Sequence, residues 1–599
     1  MSHYFYHEGK RHTCEIMWRA RERSLRSALQ SFFVSVIALT AVTVAFAADD
    51  TPTKRVTIDQ NIDQETLHRY HYTDQGTRLI PAAWLDALVD ESGKRVMDPE
   101  ALSRMGFLFD DVKDEVHNPY GWPIGFTVSD PKTTGGIPIA GLSCAACHTG
   151  QIEYKGTAVR IEGGQSMIDL AGWAQNILGA VAALAHDPAR IAQFRADAVK
   201  AGYPADRIDQ DLDAAVEAIK SLGGGPAFYE IHTVAAGRGR YDAVQAIGNQ
   251  VFGGDLGVPA NSYPLDAPVN YPQLWDIWRL TWLQFNGFLP PNSTSRNIGE
   301  ALGVRAQTHI VDRRTGELNP EPLRWQTSVQ LDNIIWIENT LKNLKAPPWP
   351  ADVLGPIDQA KADRGRDLFA TNCAHCHQIR ELPSGMWDVI VVPLREVGTD
   401  PGQATHWAGR TYDASKLGLG KQARAPQLDV AINAIRKQLY VDYKTPADEQ
   451  EPDVHFAAPC GYKARPLIGV WATAPFLHNG SVRTVFDLLS DTRPSRFRFG
   501  SREYDPAHLG YTEDDSPDSM VLETSIAGNH NTGHWWTDDA KRPGRIGRKL
   551  TDDEKYALIE YLKSANYDNY PRVKVAKEQG LPCANDKNWP KRFSVRPAQ

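Results

Sequence analysis

Basic charge is what this sequence is short of. Its 599 residues carry 65 Lys and Arg against 73 Asp and Glu, a formal net charge of -8. The positive field that nucleic-acid binding needs is missing, which excludes DNA and RNA as partners. Long apolar runs are equally scarce: a single one, residues 32–46, lies near the N-terminus. An apolar fraction of 42% and a charged fraction of 23% exclude a disordered chain and a multi-span membrane protein. No repeat period, low-complexity block or strictly alternating run stands out, so the pattern predicts a mainly α fold with long loops and few short strands. The length calls for two to four folding units.

The one apolar run follows Arg19, Arg21, Arg23 and Arg26 and ends in Ala45-Phe46-Ala47. A basic region, an apolar stretch slightly short for a membrane span, and small residues at its end make a signal peptide cleaved after Ala47 or Ala48. Met17 is the expected start. Residues 1–16, with His3, His7, His12 and Cys14, then form an upstream extension outside the chemistry. The mature chain is expected to be periplasmic or secreted, with no integral membrane span after cleavage.

Of seven cysteines, six remain after Cys14 is set aside, and four of these fall in one pattern. Cys144-Ala145-Ala146-Cys147-His148 and Cys373-Ala374-His375-Cys376-His377 both read Cys-x-x-Cys-His, the attachment motif of c-type haem. Two thiols add across the porphyrin's two vinyl groups while the adjacent imidazole ligates the iron, so one short segment sets position, plane and ligation together. A structural zinc site would leave both following histidines unexplained. Two covalently bound haem c groups are therefore expected. Cys460 and Cys583, in an oxidising compartment, are expected to pair.

The two motifs lie too far apart for one small cytochrome fold. The Pro-rich break 345–350 divides the exported chain into an N-terminal haem domain, 48–345, and a C-terminal cytochrome c-like domain, 346–599, after the leader 1–47. Helices are predicted over 167–186, 204–222, 329–344 and 357–378. A last one, 551–564, opens on the capping sequence Thr551-Asp552-Asp553-Glu554. Leu368 and Phe369 should face the second porphyrin. Trp275, Trp278, Trp282 and Phe285 share one face at helical spacing; the bland reading is core, the sharper one places Trp282 or Phe285 between the haems or in the substrate wall. Lys463 and Arg465 are expected to hold haem propionates, because buried carboxylates need cationic partners.

The blocks Tyr462–Leu467, Trp471–Val482, Trp282–Gly287, Arg296–Ala301 and Gly528–His534, in this order, resemble the dihaem cytochrome c peroxidase and MauG superfamily. Within it they are most similar to the branch of the rubber oxygenase RoxA and the dihaem fatty-acid dioxygenases. The resemblance implies a division of labour: the N-terminal haem meets dioxygen or hydrogen peroxide, and the C-terminal haem, closed by two protein ligands, transfers electrons. It further implies an apolar unsaturated substrate, fatty acid or polyisoprene, and a small redox protein as electron donor; the alternative is a peroxidase that reduces hydrogen peroxide. For the second ligand of the C-terminal haem the branch favours His534, with His530 and Met520 as rivals and His478 in a supporting role. For the first haem, His68, His71 and His117 are possible caps, and Asn118, Tyr120 and Trp122 possible pocket residues.

Overall fold

A computed structural model describes residues 54–581 with the exception of 112–113, 185–186, 222–231, 292, 313, 421–422, 425–427 and 517–518. The leader and Cys583 lie outside the described residues, and with them the expected cleavage and the Cys460–Cys583 pair. The described residues belong to the unit Pro52–Gln599.

The C-terminal part is built on two crossing helices, Gln359–Asn372 and Asp552–Ser564. Asp358 caps the first by accepting from the Lys361 amide. Thr551 and Glu554 form the capping box predicted for the second. The helices meet at Gly365, where an added Cβ would fall 1.9 Å from the Ala557 carbonyl oxygen. Phe369 and Tyr561 pack beside the crossing, with ring centroids 5.1 Å apart. The short haem-motif helix Ala374–His377 follows the first of these helices after Cys373.

The N-terminal part uses more strand than the pattern announced. Directly after His148, Thr149–Tyr154 pairs antiparallel with Thr157–Glu162, and Lys54–Thr57 adds in parallel to the second strand. The turn residues Lys155 (φ 48) and Gly156 (φ 76) both lie in the left-handed region, as a two-residue hairpin turn of the primed type requires. Helices Leu170–Leu184, Ile208–Ser221 and Leu331–Leu341 occupy three predicted helical stretches with shorter ends.

The aromatic stripe does not form a helix. Only Ile277–Arg279 makes a 3-10 turn, between Asp276 (φ 60) and Gln284 (φ 62), whose left-handed backbones cannot continue a right-handed helix. Trp275 is buried core, whereas Trp282 is half-buried at the core's edge.

This segment has a counterpart at constant offset. Asp276 matches Gly469 (φ 73), the turn Ile277–Arg279 matches Val470–Ala472, Gln284 matches Leu477 (φ 60), and Gly287 (φ 70) matches Gly480 (φ 67). The loop-closing bonds match as well: Leu283 N to Leu289 O at 2.7 Å, and Phe476 N to Val482 O at 2.6 Å. Each copy is preceded by an antiparallel pair, Arg240–Tyr241 with Val269–Asn270 and Ile390–Pro393 with Gly461–Ala464. The copies also exchange equivalent bonds, Lys463 N to Phe285 O at 2.7 Å and Asn270 N to His478 O at 2.8 Å. Such reciprocal contacts are those of a two-fold interface, here between two stretches of one chain. The principal core accordingly runs from Ile58 to Tyr570 and draws on both sides of the Pro-rich break.

Candidate haem-binding cavity

Between the two crossing helices and the second copy of the repeat lies a cavity of about 260 Å³. Cys373, Cys376 and His377 form one side of it, and Phe369, Leu467, Val470, Leu488, Leu558 and Leu562 give it apolar walls. Leu368 is not among the lining residues. His377 donates from Nδ1 to the Arg465 carbonyl at 2.8 Å, which leaves Nε2 as the coordinating nitrogen. Facing it is His534, with ring centroids 6.4 Å apart. Metal–imidazole bonds are about 2 Å long, which places two rings on opposite sides of one metal with centroids roughly 6 Å apart. Burial lowers both imidazoles, His534 to about 3 with help from His377 and Arg493, and keeps them in the neutral form that ligates.

The His534 loop is held from three sides. His534 N donates to the Val397 carbonyl at 2.8 Å. Gly533 (φ 75) lies so close to the chain at 397–399 that a Cβ would meet Gly398 C at 2.2 Å. Arg493, missed in the sequence because a lone arginine carries no pattern, donates to the carbonyls of Asn531, Gly533 and His534. The rivals have other duties. His530 pairs with Asp400 at 3.1 Å, an interaction that raises its pKa. Met520 lies against Gly237 beside a different cavity. His478 lines the haem cavity but stacks on Tyr462 at 3.9 Å.

Lys463 and Arg465 also line the cavity. Burial, then the neighbouring Arg465 and Arg296, push Lys463 well below its ordinary value, so an anion placed there would restore its charge. Arg465 gives Nη1 to the Gln273 carbonyl at 3.2 Å and Nη2 to the Trp275 carbonyl at 3.1 Å, while its buried Nε has no protein partner. Phe285 is in the wall, 6.4 Å from the His478 ring; Trp282 is not among the lining residues.

The first motif lies in a comparable setting. Cys144–Cys147 is helical and His148 is its C-cap. Burial lowers His148 to about 4; its Nδ1 makes no hydrogen bond among the described residues, although Pro272 is the repeat counterpart of Arg465, whose carbonyl accepts from His377. Burial pushes the Cys144 and Cys147 thiols up to about 11 and 12, which keeps both in the neutral thiol form. Half-buried Glu300, its pKa raised by desolvation, acts on both thiols and accepts from Gln284 at 2.6 Å. Both residues lie in the blocks that carry the resemblance, but no role for either could be read from the sequence.

The upstream histidines are otherwise engaged. His71 lies between Glu162 (2.9 Å) and Asp110 (3.2 Å), and His117 contacts Asp114 at 2.7 Å, with His68 at 3.7 Å from the same carboxylate. Asn118 is tied at both ends of its amide to the Trp122 backbone, and Tyr120 stacks on Trp122 at 4.5 Å.

Residues 461–498 match the family described as RoxA-like, cytochrome c-like, a stretch that contains Lys463, Arg465, His478 and Arg493. An uncharacterised protein of Sinorhizobium fredii, y4iJ, is 34% identical, the match covering 85% of this chain and 92% of that protein. A second uncharacterised protein of the same organism, y4iM, is 30% identical over 40% of this chain and 55% of its own length.

Proposed function

This chain belongs to the family of y4iJ and carries a RoxA-like, cytochrome c-like haem c segment, and on that premise we propose that it is an exported dihaem oxidoreductase. The N-terminal haem is the site where dioxygen meets an unsaturated hydrocarbon, fatty acid or polyisoprene, and the C-terminal haem transfers electrons. Bound haem supplies one-electron storage and, where an axial position is open, a site for dioxygen. The chain's own residues decide which haem does which.

One contrast carries the reading: the imidazoles of His377 and His534 face each other across the second motif's cavity, whereas among the described residues no ring contact pairs His148 with a second imidazole. In the second half, the stretch between the repeat loop and the last helix supplies His534. The equivalent stretch of the first half, 304–330, has His309 alone, and it is exposed. The repeat loops differ in the same sense. Asn479 uses its amide to hold the carbonyls of Gly528 and His530 ahead of His534; its counterpart Asn286 is fully buried with neither amide atom partnered, which supports the absence of a matching ligand loop. His377 and His534 hold the second haem low-spin, Lys463 neutralises a propionate, and Phe285 separates the cavity from the first half.

The half-buried acid Glu300 favours a second reading, peroxide reduction, since cleaving an O–O bond to water needs a proton donor. The visible spectrum of the purified protein tests the main reading: half the haem high-spin or oxygenated and half low-spin is expected, and two low-spin haems would refute it. His534→Ala should turn the low-spin half high-spin. Oxygen uptake with oleate or polyisoprene, without added peroxide, separates oxygenase from peroxidase.

A further inference from the structure

On the reading above, in which His377 and His534 ligate the second haem, we propose that Arg240 of the first half is the positioning residue that keeps the His534 loop in place. Arg240 is fully buried, and its guanidinium spans two stretches of the chain. Nε and Nη2 donate to the carbonyls of Ala236 at 2.8 Å and Ala235 at 2.9 Å, which fixes the side chain in the first half. Nη1 crosses to the second half, where it donates to the Asn479 carbonyl at 3.0 Å and to the Asn529 side-chain oxygen at 2.9 Å. Asn479 in turn gives its amide to the carbonyls of Gly528 and His530, both at 3.1 Å. One guanidinium nitrogen thus fastens the loop at Asn529 and, through Asn479, on either side of it. The first half grips the same spot a second time: Gly528 (φ 91) lies so near Asp266 that an added Cβ would fall 2.4 Å from its carbonyl oxygen.

The repeat supplies a comparison within the same molecule. Arg240 faces Asn270 in its strand pair, and the equivalent pair of the second half has Val391 facing Lys463. Arg240 and Asn270 meet the second repeat loop at Gly480, where an added Cβ would fall 3.3 Å from Arg240 Cδ and 2.4 Å from Asn270 Oδ1. Val391 meets the first repeat loop at the matching glycine, Gly287, with Cγ2 2.8 Å from such a Cβ. Arginine and valine therefore occupy one position of the fold, and the charged one is on the side where a ligand loop has to be held. On the other side Asn286 is buried with neither amide atom partnered, and valine offers no donor. Burying a guanidinium is costly unless its N–H groups are bonded, and here two of its bonds go to the Asn479 and Asn529 stretches. A rigid fork can fasten acceptors from separate stretches at once, which methionine cannot do and lysine does only in part.

The test compares purified holoproteins by visible and electron paramagnetic resonance spectra, with haem content from the pyridine haemochrome and helix content from circular dichroism. Arg240→Met should raise the high-spin fraction of the C-terminal haem about tenfold or more, with two haems per chain and unchanged helix content; Arg240→Lys should fall between it and the parent. Asn529→Ala, which leaves the arginine in place and removes one of its acceptors, should shift the spectrum in the same direction. Arg436→Met is the control. Arg436 is 1% exposed and donates to Ser295, Pro452 and Asp453, none of them on the loop, so its loss should leave the C-terminal haem low-spin.

An unchanged low-spin spectrum in Arg240→Met would overturn the role of Arg240, as would an equal high-spin fraction in Arg436→Met, since loss of any buried arginine would then explain both. His534→Ala separates this from the reading beneath it. If His534→Ala leaves the haem low-spin, the ligand reading fails and Arg240 loses its role with it; if His534→Ala turns the haem high-spin and Arg240→Met does not, the positioning role alone fails. Should Arg240→Met not fold, Asn529→Ala decides on the same terms.

Discussion

His71 offers a measurement of how the first haem segment is held. The imidazole is 3% exposed, with Nε2 on Glu162 at 2.9 Å and Nδ1 on Asp110 at 3.2 Å. Burial disfavours its charged form, but Glu162 and Asp110 together outweigh that and raise it from 6.5 to about 9. At 1.36 kcal/mol per pH unit, the shift corresponds to about 3 kcal/mol of folding stability. The sign follows from the direction. A group whose folded pKa is raised stabilises fully below its unfolded value, near 6.5, and the contribution disappears as pH climbs through 9. Asp110, brought down to about 2 against its burial by the His71 bond, belongs to the same pair and is not counted again. Arg160 remains 3.8 Å from Asp110, so removal of His71 leaves one cation nearby. His71→Gln should therefore lose about 3 kcal/mol at pH 6 in urea unfolding followed by circular dichroism, with a deficit that shrinks steadily to pH 10. The His71 carbonyl also accepts from Gly125 N and Ser143 Oγ, so the damage should reach the segment ahead of Cys144. A deficit that does not change between pH 6 and pH 10 would refute a charged imidazole between two carboxylates.

The remaining expectations concern the second haem site. Gly533→Ala should cost the C-terminal haem its low-spin spectrum, because the new Cβ falls 2.2 Å from the Gly398 backbone and the φ of 75 is strained for alanine. Arg493→Ala should weaken the same ligation, seen as a high-spin fraction that grows on mild warming, whereas His530→Ala should leave the spectrum low-spin. Gly365→Ala should destabilise the C-terminal part by more than the roughly 1 kcal/mol that helix propensity returns, measured as a lower urea midpoint, since the helices cannot separate by the 1–2 Å required without opening the core around Phe369. Thr551→Ala should cost about 1 kcal/mol through the lost capping box.

What was legible in the sequence was local chemistry. Cys-x-x-Cys-His announces itself because the reaction dictates the spacing, and the last helix announces itself because Thr551 and Glu554 satisfy its open amides. His534 could be picked out only with the help of a resemblance; the structure brings it opposite His377. The aromatic stripe misled because helical spacing says nothing of backbone handedness, and Asp276 and Gln284 can enter the left-handed region without a glycine to advertise it. Glu300, Gln284 and Arg493 showed no role because each acts through a partner 16 to 41 residues away, beyond any local pattern.

The repeat was invisible for a related reason, and its asymmetry is where function enters. Leu274, Trp278, Asn286 and Gly287 recur as Leu467, Trp471, Asn479 and Gly480. On the proposed dihaem reading their neighbours differ because the two copies serve different pockets while preserving one backbone path. Where the second copy has Leu477, the first has Gln284 bonded to the half-buried acid Glu300; where the second has Arg465, the first has Pro272. An apolar residue suits a closed electron-transfer haem, whose ligands must be shielded from water, whereas an amide and a carboxyl suit a pocket that admits a polar oxygen species. Gln284→Leu makes the first copy resemble the second at this position. It should leave Glu300 without its donor and slow oxygen or peroxide turnover while the low-spin C-terminal spectrum stays as it was. If turnover is unchanged, the polar pair has no part in the first site and the two pockets differ in ligation alone.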